Sequence, residues 1–275
     1  MSKSGNNTRV RILVALIFAP LIVYACYVGG WAFFTLSTGI ALLSFFEYSR
    51  FVVKKGGVPL DYVGYVAIFA IMLDAQLRFM PEPTLLYAII VLAVVLRELF
   101  HNDGSPIINI GTSLFGVFFF GLFMSALLKL NVIMQAQPNG GNLFIILLLM
   151  SIWIMDSAAF FIGIRFGKHR LFERVSPKKS WEGAIAGFVF AVATVVAASQ
   201  TLMPYLTLSH AIGIGAVIGI VGQMGDLVES LLKRDAGVKD SSSIIPGHGG
   251  IFDRFDSLFA VAPAVYIYVS LFMNL

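Results

Sequence analysis

The sequence predicts an all-α integral membrane protein of about nine transmembrane helices, with its N-terminus in the cytoplasm and its C-terminus outside. Three observations predict it. Of 275 residues, 58% are hydrophobic and only 12% charged, about half the charged fraction of a soluble domain. The apolar residues fall into successive runs near the ~20 needed to cross a hydrocarbon core. The connections between those runs alternate in charge, so that all but two of the 19 Lys and Arg fall on one side, which the positive-inside rule makes the cytoplasm.

The runs lie at roughly 10–28, 31–49, 60–79, 84–100, 107–129, 143–165, 183–203, 209–232 and 257–274. The first follows Lys3, Arg9 and Arg11 without a small-x-small cleavage pattern, and is read as a retained span rather than a leader. Pro20 within it predicts a kink. Arg50, Lys54 and Lys55 follow the second run. Asp74 and Arg78, four apart near the outer end of the third, are expected to form a helix-end ion pair. Glu98, His101 and Asp103 at the next turn read as solvated loop residues. The segment 135–142, QAQPNGGN, is a polar outer turn. Cys26 is the only cysteine, which excludes an internal disulfide and a multi-cysteine zinc site. The chain therefore reads as one polytopic membrane domain over 1–275. Spans 1–142 carry no motif, and 143–275 supply the chemistry. Bilayer lipids are the surrounding partners, no nucleic acid is expected, and assembly as a homodimer is left open.

Asp156 lies inside the sixth run, among Ile154, Met155, Ala158, Ala159 and Phe160. A charge there costs roughly 2.5–3.5 kcal/mol to insert, so it is expected to face a bundle interior or a polar cavity. Ala159, Gly163 and Gly167 recur every four residues on the same helix, a stripe that permits close packing. The following loop gathers Lys168, Arg170 and Arg174, then Ser-Pro-Lys-Lys-Ser-Trp-Glu-Gly from Ser176 to Gly183. By charge alone it suits the surface of anionic lipid, with Trp181 as an interfacial anchor.

The eighth run is thinned by Gly213, Gly215, Gly219, Gly222 and Gly225. Gln223, Asp226, Ser230 and Lys233 follow spacings of three, four and three, which places them on one face, with Glu229 beside them. A polar stripe on an apolar helix reads as one wall of a cavity open to the cytosol. His210 opens this run on the outer side, away from the stripe.

From Ser230 to Asp256 runs SLLKRDAGVKDSSSIIPGHGGIFDRFD. It holds Lys233, Arg234, Lys239 and Arg254 together with Asp235, Asp240, Asp253, Asp256 and the Gly247–Gly250 turn. Mixed charge with glycines that let backbone amides approach a ligand suits a polyphosphate and its metal ion. The order of residues across these 27 positions resembles the signature of the phosphatidate cytidylyltransferase (CDP-diacylglycerol synthase) family. The Ser176–Gly183 run, preceded by Asp156 and Gly167-Lys168, resembles a second block of that family.

The resemblance implies transfer of the cytidylyl group of CTP to phosphatidate, giving CDP-diacylglycerol and pyrophosphate for phospholipid synthesis. It places the enzyme in the inner cell membrane with its site facing the cytoplasm. Such a transfer suits Mg2+, which binds one or two carboxylates and completes its shell from phosphates and water, with a second cation left open. Expected ligands are Asp226 and Asp253, with Asp256 and Asp156 behind them. Lys233, Arg234, Lys239, Asp240, His248, Arg254 and Asp256 are expected to act on the phosphates. Ser176, Lys178, Lys179, Ser230, Gly249 and Gly250 are expected to bind substrate. Two rivals stay open on the residues alone: a CTP-dependent lipid kinase, which would release CDP, and an organic-anion transporter using the polar stripe as its route.

Overall fold

The structure, a computed structural model, describes residues 3–137, 140–245, 247 and 249–273, with side chains from residue 14 onward except residue 15. Each expected run is occupied by one helix: α1 (Lys3–Val28), α2 (Gly30–Lys54), α3 (Asp61–Leu77), α4 (Pro83–Leu99), α5 (Pro106–Met134), α6 (Asn142–Phe166), α7 (Trp181–Thr201), α8 (Leu208–Asp235) and α9 (Phe252–Phe272). Among the described residues, six of these, α2 and α5 to α9, are long and apolar enough to cross a membrane. Helices α3 and α4 have 17 residues each, and the apolar part of α1 is Leu16–Val28.

Local chemistry sets the boundaries. Gly29 and Gly30, at φ 68° and 50°, occupy the left-handed region that breaks α1 from α2 with no steric penalty. Pro83 and Pro106 start α4 and α5, where a missing N–H is harmless. Ser180 caps α7 by accepting from Gly183 N at 3.2 Å. At the end of α3, Arg78 turns left-handed (φ 53°) and brings Met80 N to Asp74 Oδ1 at 2.9 Å. The expected Asp74–Arg78 ion pair does not form, because the reversal gives the Asp74 carboxylate a backbone donor instead.

The chain divides into two compact units, each discontinuous in sequence. The first takes the chain to Ala25, Gly29–Leu128 and Asp235–Phe255. Its core is aromatic. Phe45 and Tyr48 of α2 meet Phe120 at 6.5 and 5.6 Å between ring centroids, and Phe252 meets Phe119 and Phe120 at 6.1 and 5.0 Å. A π turn at Val117–Leu122 within α5 carries Phe119 and Phe120. Glu98, expected in solvent, is buried here because Asn109 Nδ2 donates to it at 2.8 Å.

The second unit takes Cys26–Val28, Lys129–Arg234 and Asp256–Leu275. Small residues organise it, as the sequence leads one to expect. A methyl at Gly183 would sit 2.6 Å from Ala159 O, and one at Gly187 would sit 3.1 Å from Met155 O, so α7 lies directly on the backbone of α6. The glycines of α8 do the same on two sides. Gly215 and Gly219 face Val192 Cα and Phe188 Cα of α7, and Gly225 faces Asp256 O and Ser257 Cα of α9. Between α6 and α7 the expected basic loop is a short antiparallel hairpin, β1 (Arg170–Phe172) with β2 (Ser176–Ser180).

Candidate active site

In the second unit the polar stripe of α8 becomes a cluster of carboxylates. Asp226, Glu229 and Asp256 each offer one oxygen, and these lie within 4.8 Å of one another. Asp226 and Asp256 are half-buried and Glu229 is buried. Close packing is what brings the third carboxylate in, since Gly225 leaves no side chain between α8 and the backbone of Asp256.

Two lysines answer this negative charge. Lys179 Nζ, at the end of β2, lies 2.5 Å from Asp226 Oδ2, and Lys233 Nζ lies 2.6 Å from Glu229 Oε2 one helical turn on. Ser230 Oγ donates to Asp226 Oδ1 at 3.4 Å, and Ser257 N donates to Asp256 Oδ1 at 2.6 Å. Asp156 is exposed on α6, close enough for its charge to act on Asp256. The structure thus joins Asp226, Ser230, Lys233, Lys179, Asp256 and Asp156. Gln223 turns aside: its Nε2 donates to Ala184 O and Gly219 O.

The hairpin that delivers Lys179 is tied at its base. Glu182 accepts from Lys168 N at 3.1 Å and pairs with His169 Nδ1 at 2.7 Å, while Trp181 N donates to His169 O. Arg234 Nε reaches Val175 O at 3.5 Å. Ser176 is half-buried, and Lys178 points to the exterior.

In the first unit, the signature loop between α8 and α9 presents Lys239, Asp240 and Arg254 as exposed groups. Its turn is closed by Ile245 N donating to Gly249 O at 2.9 Å, with Gly247 and Gly249 left-handed at φ 76° and 84°. His248, expected to donate to a phosphate, lies outside the described residues. Asp253, expected first as a metal ligand, holds the loop together: its Oδ2 accepts from Ser241 N and Gly250 N, each at 2.8 Å, and lies 2.8 Å from Ser241 Oγ, whose single proton it shares with Glu47. The Gly250 amide is therefore engaged inside the protein.

Two residues of this machinery escape a reading of the signature. Glu229, read from the sequence only as a neighbour of the stripe, completes the carboxylate cluster. Glu47 of α2 is fully buried and receives four hydrogen bonds from the signature loop. The signal that could have found it is the one that picks out Asp156, an ionisable residue inside an apolar run.

Comparison with known proteins agrees with the signature. The model of the cytidylyltransferase family matches residues 9–272. A phosphatidate cytidylyltransferase of Synechocystis sp. is 34% identical, over 96% of this chain and 97% of the relative. The phosphatidate cytidylyltransferase of Bacillus subtilis is 31% identical over 97% and 99%. That of Thermotoga maritima is 29% identical over 95% and 96%.

Proposed function

The chain belongs to the cytidylyltransferase family, and on that premise we infer that it transfers the cytidylyl group of CTP to phosphatidate, releasing pyrophosphate and forming CDP-diacylglycerol. The observation that supports this reading most is the Asp226, Glu229 and Asp256 cluster with its two lysines, in which Asp256 and Lys233 come from the signature, Lys179 from the second block, and Asp226 and Glu229 from the helix that leads into the signature. An oxygen of the phosphatidate phosphate attacks the α-phosphorus of CTP. The bond from that phosphorus to the β-phosphate oxygen breaks, and its electron pair leaves with pyrophosphate. The nucleophile is already an oxyanion, so the chemistry asks for placement of two anions and stabilisation of the leaving charge.

Mg2+ is the proposed cofactor. Three carboxylates within 4.8 Å form an all-oxygen donor set of the kind a hard divalent cation takes, with phosphates and water completing it. Asp226, Glu229 and Asp256 would hold it, and when bound it would neutralise charge on the phosphates. Lys179 and Lys233, now paired with two of these carboxylates, are placed to turn toward phosphate oxygens. Arg254 and Lys239 would neutralise others, arginine in bidentate fashion.

We propose nine spans in the inner cell membrane with the N-terminus and signature loop in the cytoplasm, on the strength of the one-sided cations. The phosphatidate would enter laterally, its tails remaining in the bilayer. One assay tests the activity: the purified protein with CTP and phosphatidate should release pyrophosphate, EDTA should abolish the release, and Mg2+ should restore it. Release of CDP would replace this reading by the kinase, and nucleotide-independent uptake into sealed vesicles by the transporter. Reporters fused after Leu275 and near Ser176 should fall on opposite sides of the membrane. Both on one side would break the topology.

A further inference from the structure

The N-terminal half of the chain carries no signature motif, yet its α2 sends a carboxylate into the signature loop. Glu47 is 0% exposed. Its Oε1 accepts from Ser242 Oγ at 2.5 Å and Ile251 N at 2.9 Å, and its Oε2 accepts from Ser241 Oγ at 2.7 Å and Phe252 N at 2.8 Å. Each oxygen thus takes one hydroxyl and one backbone amide. The amides belong to the start of α9, where the first N–H groups have no partner within the helix and the dipole favours an anion. Glu47 is an N-terminal cap supplied by a helix about 200 residues earlier.

The loop is shaped around this carboxylate. A methyl on Gly250 would collide with Ser241 Oγ and with both oxygens of Glu47. Asp253 closes the other side by accepting from Ser241 and Gly250. Ser241 Oγ, within reach of both carboxylates, links the two. Beneath them Phe252 packs edge-on against Phe120 at 5.0 Å. The loop held in this way carries Lys239, Asp240 and Arg254 at its exposed surface.

We propose that Glu47 is a positioning residue for the reaction, a fixed anion that holds the Ser241–Phe252 loop in the geometry that binds the CTP phosphates. The inference rests on the reading that this loop contacts CTP. Glutamine at this position keeps shape but replaces one oxygen by an NH2 group, which faces an amide that can only donate. One side of the latch then opens.

The test uses the purified full-length protein with four measurements: KM for CTP, KM for phosphatidate, kcat, and amide hydrogen exchange by peptide. Glu47→Gln should raise the CTP KM about tenfold or more, the scale of losing charge-assisted hydrogen bonds. The phosphatidate KM should stay level and kcat should fall by less. Exchange should quicken in peptides covering 241–253 and remain unchanged in α6 and α7. Ser242→Ala removes a single donor, should act in the same direction more weakly, and decides the matter if Glu47→Gln does not fold. Arg254→Gln serves as the reference for contact between loop and nucleotide. Faster loop exchange with an unchanged CTP KM overturns the proposal when Arg254→Gln does raise that KM. An unchanged KM in all three variants overturns the proposal together with the reading that the loop contacts CTP. Faster exchange throughout the protein would make Glu47 a general stabiliser, and unchanged loop exchange would remove the latch.

Discussion

Two groups of carboxylates serve the same signature, and their partners are opposite in kind. Asp226 and Glu229 in the second unit are matched by lysine ammonium groups. Glu47 and Asp253 in the first are matched by amide and hydroxyl donors of one loop. An ammonium on a rotatable stem can exchange one anion for another, so the first arrangement can be rebuilt around phosphates and a cation. Backbone amides cannot leave, and a carboxylate that accepts four donors is committed to architecture. We propose that the nature of the partner, read together with access to water, separates a working carboxylate from a structural one.

The largest effect should come from the working set. Asp226 and Lys179 are 30% and 27% exposed, so water can replace either partner and their pairing contributes little to stability. Asp226→Asn keeps size and polarity while removing the charge that would hold a cation. Turnover should fall about 100- to 1,000-fold, the scale of losing one preorganised electrostatic group, with the melting temperature level or slightly higher. A variant that melts early yet keeps its specific activity per folded molecule would move Asp226 to the structural side of the comparison.

Glu229 stands between the two kinds. It pairs with an ammonium, yet it is 1% exposed and Lys233 only 12%. Glu229→Gln leaves a buried lysine without its counter-charge and should destabilise the protein by about 3 kcal/mol, read as an early melting transition in detergent. Glu229→Gln together with Lys233→Met removes both charges and should recover most of that loss. If the single variant melts like the parent, burial does not distinguish this pair from Lys179–Asp226.

A smaller loss is expected in the latched loop. Gly250→Ala adds one methyl where Glu47 and Ser241 already lie, and overpacking of that kind costs about 1–3 kcal/mol. Gly237→Ala is the contrast. No atom lies within 4 Å of a methyl there, but the left-handed φ of 68° strains any side chain. It reports the backbone penalty alone, roughly 1–2 kcal/mol. Gly250 is not left-handed, so its substitution measures steric collision. Equal activity losses in the two variants would mean that the latch contributes nothing beyond loop conformation.

Much of this architecture was legible in the residues. The apolar runs located the nine helices among the described residues, with ends that differ by five to seven residues at α1, α2, α5 and α9, and six of these helices are long and apolar enough to cross a membrane. The glycines of α8 announced close packing for the same reason that they permit it. The carboxylate cluster was legible in two members, Asp226 and Asp256, while Glu229 was hidden by a stripe drawn too narrowly around Gln223. Asp253 was harder. Its place in a charged loop pointed to a ligand, and the structure adds that the amides of Ser241 and Gly250 converge on its Oδ2. Glu47 shows where local reading stops, since its partners lie about 200 residues away and nothing near it in sequence states what it caps.

The smallest effect completes the comparison from the exposed end. Lys55 Nζ and Asp235 Oδ1 are 3.1 Å apart, with the side chains 52% and 64% exposed. Lys55 follows the last turn of α2, where a cation suits the helix dipole, and Asp235 ends α8, where an anion opposes it. Removing the lysine therefore loses a weak attraction and a favourable dipole contact, whereas removing the aspartate charge loses the attraction and relieves a repulsion. Lys55→Ala should destabilise by about 0.5 kcal/mol or less, and Asp235→Asn should be neutral or slightly stabilising. Their coupling in a double-mutant cycle should lie between about 0.2 and 1 kcal/mol and shrink as salt rises, because charges in solvent are screened. The melting temperatures of the four proteins at low and high salt check it. A coupling above about 1 kcal/mol that ignores salt would show this pair behaving as a buried one. The distinction drawn from partners and water access would then fail at the place where it is simplest to test.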